Sequence, residues 1–183
     1  MPQRPHGESS QRVLIFGGGG IGGTLAARLA GVGRDVTVVT RNPSIAEVIT
    51  RRGLRSHYEG AVQVAHPDAV ATLEELGEPD GRFAAAFVAV PPSSAEQAAH
   101  DALPWLEPDA PIVCCPNGLI EERLESQLPP ERIIGGIVTF AGSMLGPGEV
   151  KKTSTGGGIT LGRLPQAQRR EDPQLERVAA LLE

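Results

Sequence analysis

Val13-Leu-Ile-Phe-Gly-Gly-Gly-Gly-Ile-Gly-Gly-Thr24 is the stretch that most narrows what this chain can fold into. The apolar residues have the length of a buried strand, the glycines make a turn, and Leu25-Ala-Ala-Arg-Leu-Ala30 continues as a helix. Gly17-x-Gly19-x-x-Gly22 has the spacing of a dinucleotide-binding fingerprint. In that motif Gly17 lets the strand turn sharply, Gly19 lets the backbone approach a pyrophosphate, and Gly22 lets the helix pack closely on the strand. The helix N-terminus adds unpaired N–H groups and a positive dipole end. Gly17, Gly18, Gly19, Gly20, Ile21 and Gly22 are therefore candidate cofactor-binding residues. The other use of four glycines, a flexible linker, is not framed by an apolar strand and a helix.

The chain has 183 residues, room for one good domain and part of a second. Residues 1–11 read as a flexible tail without the apolar middle of a secretion signal, and residues 12–183 as a dinucleotide-binding domain. Apolar residues make up 40% and aromatics only 3%, so the core must be built from Val, Ile, Leu and Ala. The net charge of −5, from well-mixed acidic and basic residues, argues against nucleic acid or a membrane surface as the partner. No apolar stretch approaches the roughly 20 residues of a membrane helix. Two adjacent cysteines, Cys114 and Cys115, rule out a disulfide framework and, on a strand, point to opposite faces as core residues. A cytoplasmic protein fits these features.

Strands and helices alternate along the chain. Asp35–Thr40 is a near-continuous apolar strand of the kind a doubly covered parallel sheet requires. A helix starting at Asn42-Pro43 runs to Gly53, and residues 54–58 and 61–65 flank Glu59-Gly60 as a small hairpin. Residues 66–76 read as a connection. Phe83–Val90, Pro111–Cys115 and Arg132–Thr139 are further strands, separated by helices that Ser93 or Ser94 caps and that spans Leu119–Leu128. This pattern predicts an α/β fold with a doubly wound, Rossmann-type, mainly parallel sheet and helices on both faces. Residues 148–153 and 158–162 are expected to close it as a C-terminal antiparallel hairpin, before a helix beginning at Asp172 with an apolar stripe of Leu175, Val178, Leu181 and Leu182.

The end of the second strand separates NAD from NADP. An acidic residue there would meet a free ribose hydroxyl. The chain instead reads Val39-Thr40-Arg41-Asn42, and the missing acid favours NADP(H). Arg41 can pair with a 2′-phosphate, with Thr40 and Asn42 adding hydrogen bonds; a solvated arginine is the plainer alternative. Ligands sit outside the carboxyl ends of such strands, which brings Val90, Pro91 and Asn117 beside the cofactor. Asn117-Gly118 also has the composition of an ordinary turn. The histidines have no spacing that suggests a metal site or a triad, and Glu121-Glu122 reads as a solvated helix face.

Together these residues resemble the ketopantoate reductase (2-dehydropantoate 2-reductase) family. The resemblance runs from Arg12 onward and rests on Gly17–Gly22, Arg41, Pro116-Asn-Gly-Leu-Ile-Glu121, Gly136–Gly142, Gly146-Pro-Gly-Glu-Val150 and Gly157–Gly162. It implies an NADPH-dependent oxidoreductase of pantothenate biosynthesis that reduces the ketone of a 2-keto acid. Gly17–Gly22 would hold the pyrophosphate, and Arg41 the 2′-phosphate. Asn117 would lie between cofactor and substrate, with Gly142 near the nicotinamide. Hydride transfer also needs an acid for the developing alkoxide. The family often has a lysine where this chain has Pro91-Pro92, and its catalytic lysine and a glutamate lie in a C-terminal helical domain that this sequence does not reach. No catalytic residue is therefore assigned.

Two other readings stay open. One is the cofactor domain of a glycerol-3-phosphate or 3-hydroxy acid type dehydrogenase, which suits Val88-Ala-Val-Pro91. The other is a stand-alone NADP(H)-binding module that senses or scaffolds without catalysis. The expected partner is a small-molecule 2-keto acid, if a further domain completes the site, and a homo-oligomer stays open.

Overall fold

The computed structural model describes residues 12–79 and 82–183; the tail expected over residues 1–11 lies outside the described residues. Near-continuous apolar runs form the buried strands of a seven-stranded sheet. These are β1 (Arg12–Phe16), β2 (Asp35–Val39), β6 (Ala85–Val88), β7 (Ile112–Cys114) and β8 (Ile133–Val138), joined at the edges by β5 (Asp68–Val70) and β11 (Ile159–Gly162). The order is β11-β8-β7-β6-β1-β2-β5, parallel except for β11, which runs antiparallel to β8. From β1 the chain winds outward through β2 to β5, returns to β6, and winds the other way through β7 to β8. The topological switch point lies between β1 and β6, where Phe16 is level with both Val39 and Val88. In open sheets of this kind the ligand crevice forms at that point.

Side-chain alternation along the strands divides the core in two. Leu14 and Phe16 face one apolar cluster with α3 (Pro92–Ala102) and α4 (Ile120–Glu125). Val13 and Ile15 face the other, with α1 (Gly20–Gly31), α2 (Pro43–Arg52) and α5 (Pro173–Leu182). Helices cover both faces, as the alternation predicts. Cys114 and Cys115 are buried in opposite clusters.

A second, four-stranded sheet was not anticipated. The hairpin of β3 (Leu54–Tyr58) and β4 (Ala61–Ala65) forms with the expected boundaries and lies beside β10 (Glu149–Lys152) and β9 (Gly142–Gly146), in the order β4-β3-β10-β9. α1 packs against β1 and β2 on one side and all four strands of this sheet on the other.

The expected closing hairpin is a correction. Residues 148–153 and 158–162 do not pair with each other: β10 pairs with β9 and β3, whereas β11 pairs with β8. A two-residue Pro147-Gly148 turn, with Gly148 at φ 68°, joins β9 to β10. Such a short turn closes a hairpin at an entropic cost about 1 kcal/mol lower than the longer link over residues 153–158. The short β5 falls inside the expected connection, because three residues including Asp68 and Ala69 give no apolar run. Neither Ser93 nor Ser94 caps α3; the helix begins at Pro92, whose fixed φ suits the first helical position.

α5 starts where expected, with Asp172 Oδ1 accepting the Leu175 N–H at 3.1 Å. Arg163 ties that helix start to the sheet. Its Nη1 donates to the Ile133 carbonyl at 2.8 Å, Nη2 to Asp172 Oδ1 at 3.0 Å and Gln174 Oε1 at 2.6 Å, and Nε to Asp172 Oδ2. Among the described residues no helix is long and apolar enough to cross a membrane.

Candidate functional site

Backbone hydrogen bonds carry the sheet ladder past the strand ends and bring the candidate segments together. Gly17 N–H donates to Val39 O at 2.8 Å, Ala89 N–H to Phe16 O at 2.9 Å, and Cys115 N–H to Val88 O at 3.0 Å. The glycine loop, Ala89-Val90-Pro91 and Cys115-Pro116-Asn117 thus stand side by side at the carboxyl ends of β1, β6 and β7.

The loop's glycines divide their work. Gly17 has φ 111°, and a Cβ there would strike the Ala89 carbonyl. A Cβ on Gly22 would strike the Gly17 carbonyl, so the close helix–strand approach expected of Gly22 is present. Gly19 differs: nothing lies within 4 Å of its Cβ position, which leaves the backbone open to an incoming group. Gly20 is pressed against Gly142 of β9, and Gly23 against Val150 of β10.

Two clefts open along these strand ends. The larger, about 960 Å³, takes in Gly17, Gly18, Gly19, Thr40, Arg41, Val90 and Pro91 from the expected set. The smaller, about 230 Å³, takes in Ile21, Val90 and Asn117, with Pro116, Val138 and Phe140. Ala89 and Val90 line both, so the clefts adjoin. Gly20, Gly22 and Gly142 line neither, because their bare faces are turned to backbone. Trp105, Met144 and residues 71–74 also line the larger cleft. Sequence reasoning missed them, since nothing local links an edge-strand connection, the end of α3 and a second sheet.

Arg41 is the only arginine or lysine among the described residues lining the larger cleft. Its backbone has φ 56°, a left-handed conformation uncommon outside glycine and asparagine. Thr40 braces that turn: its Oγ1 accepts the Asn42 N–H at 3.0 Å and donates to the Asn42 carbonyl at 2.9 Å. Asn42 Oδ1 accepts the Ser44 N–H at 3.0 Å and caps α2. Both polar groups expected beside a phosphate are therefore engaged locally. The Arg41 guanidinium Nη2 donates instead to Ser94 Oγ at 3.2 Å.

The smaller cleft carries no charged side chain among its described lining residues. Its one ionisable group is the Cys115 thiol, which burial, with a smaller contribution from the Glu121 charge, pushes up to about 12. A thiol held protonated in this way is a poor nucleophile. Burial likewise raises Cys114, so both cysteines act as core residues. No cluster of three or more metal-ligating side chains occurs among the described residues.

The sequence profile described as Ketopantoate reductase PanE/ApbA matches residues 13–166. The chain is 31% identical over 182 residues to the 2-dehydropantoate 2-reductase of Mesorhizobium japonicum, covering 87% of this chain and 54% of that protein. It is 32% identical over 139 residues to the glycerol-3-phosphate dehydrogenase [NAD(P)+] of Rhizobium etli, covering 69% of this chain and 41% of that one. The crystal structure of 2-dehydropantoate 2-reductase from Geobacter metallireducens superposes with a TM-score of 0.78 at 27% identity, over 93% of this chain and 54% of that chain. The chain thus spans about half the length of the proteins it matches.

Proposed function

We propose, for a chain that belongs to the ketopantoate reductase PanE/ApbA family, that it is the NADP(H)-binding part of an oxidoreductase acting on 2-dehydropantoate or a similar 2-keto acid. The observation that carries this reading is the adjoining of the two clefts through Ala89 and Val90, with Arg41 in the larger and Asn117 in the smaller. That sequence of features suits an extended dinucleotide with a 2′-phosphate at one end and a reacting ring at the other. The open face of Gly19 leaves room for a pyrophosphate at the α1 N-terminus. A cytoplasmic setting belongs to the same reading.

When bound, the cofactor would supply a hydride for the substrate ketone. This chain's residues orient the reaction. Gly17 to Gly19 leave backbone exposed to the phosphates, Arg41 supplies positive charge, and the Ile21, Val138 and Phe140 side chains contribute apolar lining to the smaller cleft. Asn117, with a donor and an acceptor on one amide, can orient both a ring carboxamide and a substrate carbonyl. The proton for the developing alkoxide is not assigned to any residue of this chain.

Titration of the 183-residue chain with NADPH, followed by fluorescence, should saturate well below millimolar cofactor. No saturation at millimolar NADPH would sink the reading. The Rhizobium etli relative favours a second reading, in which the substrate is of the glycerol-3-phosphate type. Turnover assays of the chain extended to its relatives' length, with 2-dehydropantoate against dihydroxyacetone phosphate, separate the two. Binding without turnover of either would favour a sensor or scaffold module.

A further inference from the structure

Arg41 and Ser94 approach the larger cleft from different walls. Arg41 follows β2, whereas Ser94 lies in the first turn of α3, after β6. They meet through the 3.2 Å hydrogen bond from Nη2 to Oγ. Ser94 has no other task in the helix start, since α3 has no side-chain cap. The Arg41 backbone is independently fixed, in a left-handed conformation clasped by the Thr40 hydroxyl. Both ends of a flexible arginine are thereby held before any ligand arrives. A serine hydroxyl has two lone pairs and one proton. With one lone pair taken by Arg41, its O–H is left to donate to an anion that the guanidinium faces.

We infer that Ser94 is a specificity-determining residue: it positions the Arg41 guanidinium and donates its own O–H to the ribose 2′-phosphate. The inference rests on the NADP(H) reading above. An arginine immobilised in advance loses less side-chain freedom on binding than one recruited from solvent. A guanidinium with a hydroxyl beside it also matches the donor demand of a phosphate better than an arginine alone. NADH offers only a ribose hydroxyl there, so the clasp should discriminate between the cofactors.

The test is titration of NADPH and NADH into the full chain and into Ser94→Ala, Ser94→Thr, Arg41→Ala and the double variant, with circular dichroism to confirm folding. Ser94→Ala should weaken NADPH about tenfold, the effect of losing hydrogen bonds to charged groups, and leave NADH within about twofold. Ser94→Thr keeps the hydroxyl and should restore most of the NADPH affinity. In the Arg41→Ala background, Ser94→Ala should have a much smaller effect. An unchanged NADPH-to-NADH ratio in Ser94→Ala, with Arg41→Ala abolishing it, overturns the inference and leaves the NADP(H) reading standing. A full Ser94 effect without Arg41 overturns the positioning role. A wild-type ratio near one, or equal loss of both cofactors in Arg41→Ala, overturns the NADP(H) reading and this inference together.

Discussion

Gly20 and Gly142 each occupy the space where the other's side chain would be. A Cβ on either would collide with the carbonyl of its partner, so the start of α1 and the start of β9 meet backbone to backbone. This contact, together with Gly23 against Val150, seats the second sheet on the helix that follows the glycine loop. Position 142, expected near the nicotinamide, also holds the helix that follows the loop.

Replacing Gly142 or Gly20 with Ala should therefore destabilise the protein. Forcing a methyl into a packed contact costs about 1–3 kcal/mol. Urea unfolding should show a lower midpoint for Gly142→Ala and Gly20→Ala with the slope unchanged. A midpoint equal to wild type would mean that the two backbones can separate freely.

Gly19→Ala should behave in the opposite way. With nothing within 4 Å and a φ of −82°, the added methyl meets no protein atom and asks for no unusual backbone. Stability should fall by only about 1 kcal/mol, the cost of alanine being a much poorer N-cap than glycine. The methyl would stand where the backbone must approach a pyrophosphate, so NADPH binding should fall steeply. Undiminished binding would show that the phosphates do not pass over Gly19.

The Arg163–Asp172 pair should make stability depend on acid. Hydrogen bonds from Arg163, aided by the Leu175 N–H, hold the Asp172 carboxyl below its ordinary value. A carboxyl depressed in the folded state stabilises the fold above its unfolded pKa, about 3.9, and that contribution is lost as pH falls through the lower folded value. Denaturation curves measured between pH 7 and pH 2 should thus be less pH-dependent below pH 4 in Asp172→Asn than in wild type. Arg163→Ala, which leaves a nearly buried carboxylate without its partner, should cost about 3 kcal/mol at neutral pH. Equal acid slopes in Asp172→Asn and wild type would contradict the assignment.

Thiol reagents supply a further check. With Cys115 pushed up to about 12 and both thiols buried, neither should react appreciably with a disulfide reagent at pH 8 until the chain is unfolded in denaturant. Rapid labelling of the native protein would show that the smaller cleft opens more than its walls indicate.

Much of the main sheet could be read from the residues alone, because its signals are local. Apolar runs at Val13–Phe16 and Val36–Val39 have to be buried on both faces, and the intervening glycines and helix leave few alternatives to a parallel, doubly wound sheet. Asn42 and Asp172 announced their helices because an N-cap is a short-range hydrogen bond. Three-residue β5 and the proline start of α3 were harder, since neither carries an apolar period or a capping side chain that decides the matter.

Local residue patterns were enough to establish that a glycine turn joins the first strand to the first helix, that a basic residue follows the second strand, and that Asn117 stands at a strand's carboxyl end. Each of those is a property of a few consecutive residues. Tertiary structure alone decided that β10 lies beside β3 rather than β11, that Gly20 and Gly23 serve a second sheet, and that Arg41 reaches Ser94. Those relationships join residues from 53 to 127 positions apart (41 to 94, 23 to 150). They arise because α1 must bury both of its sides and because two strands of one sheet end at the same level. No short-range pattern in the chain records either requirement.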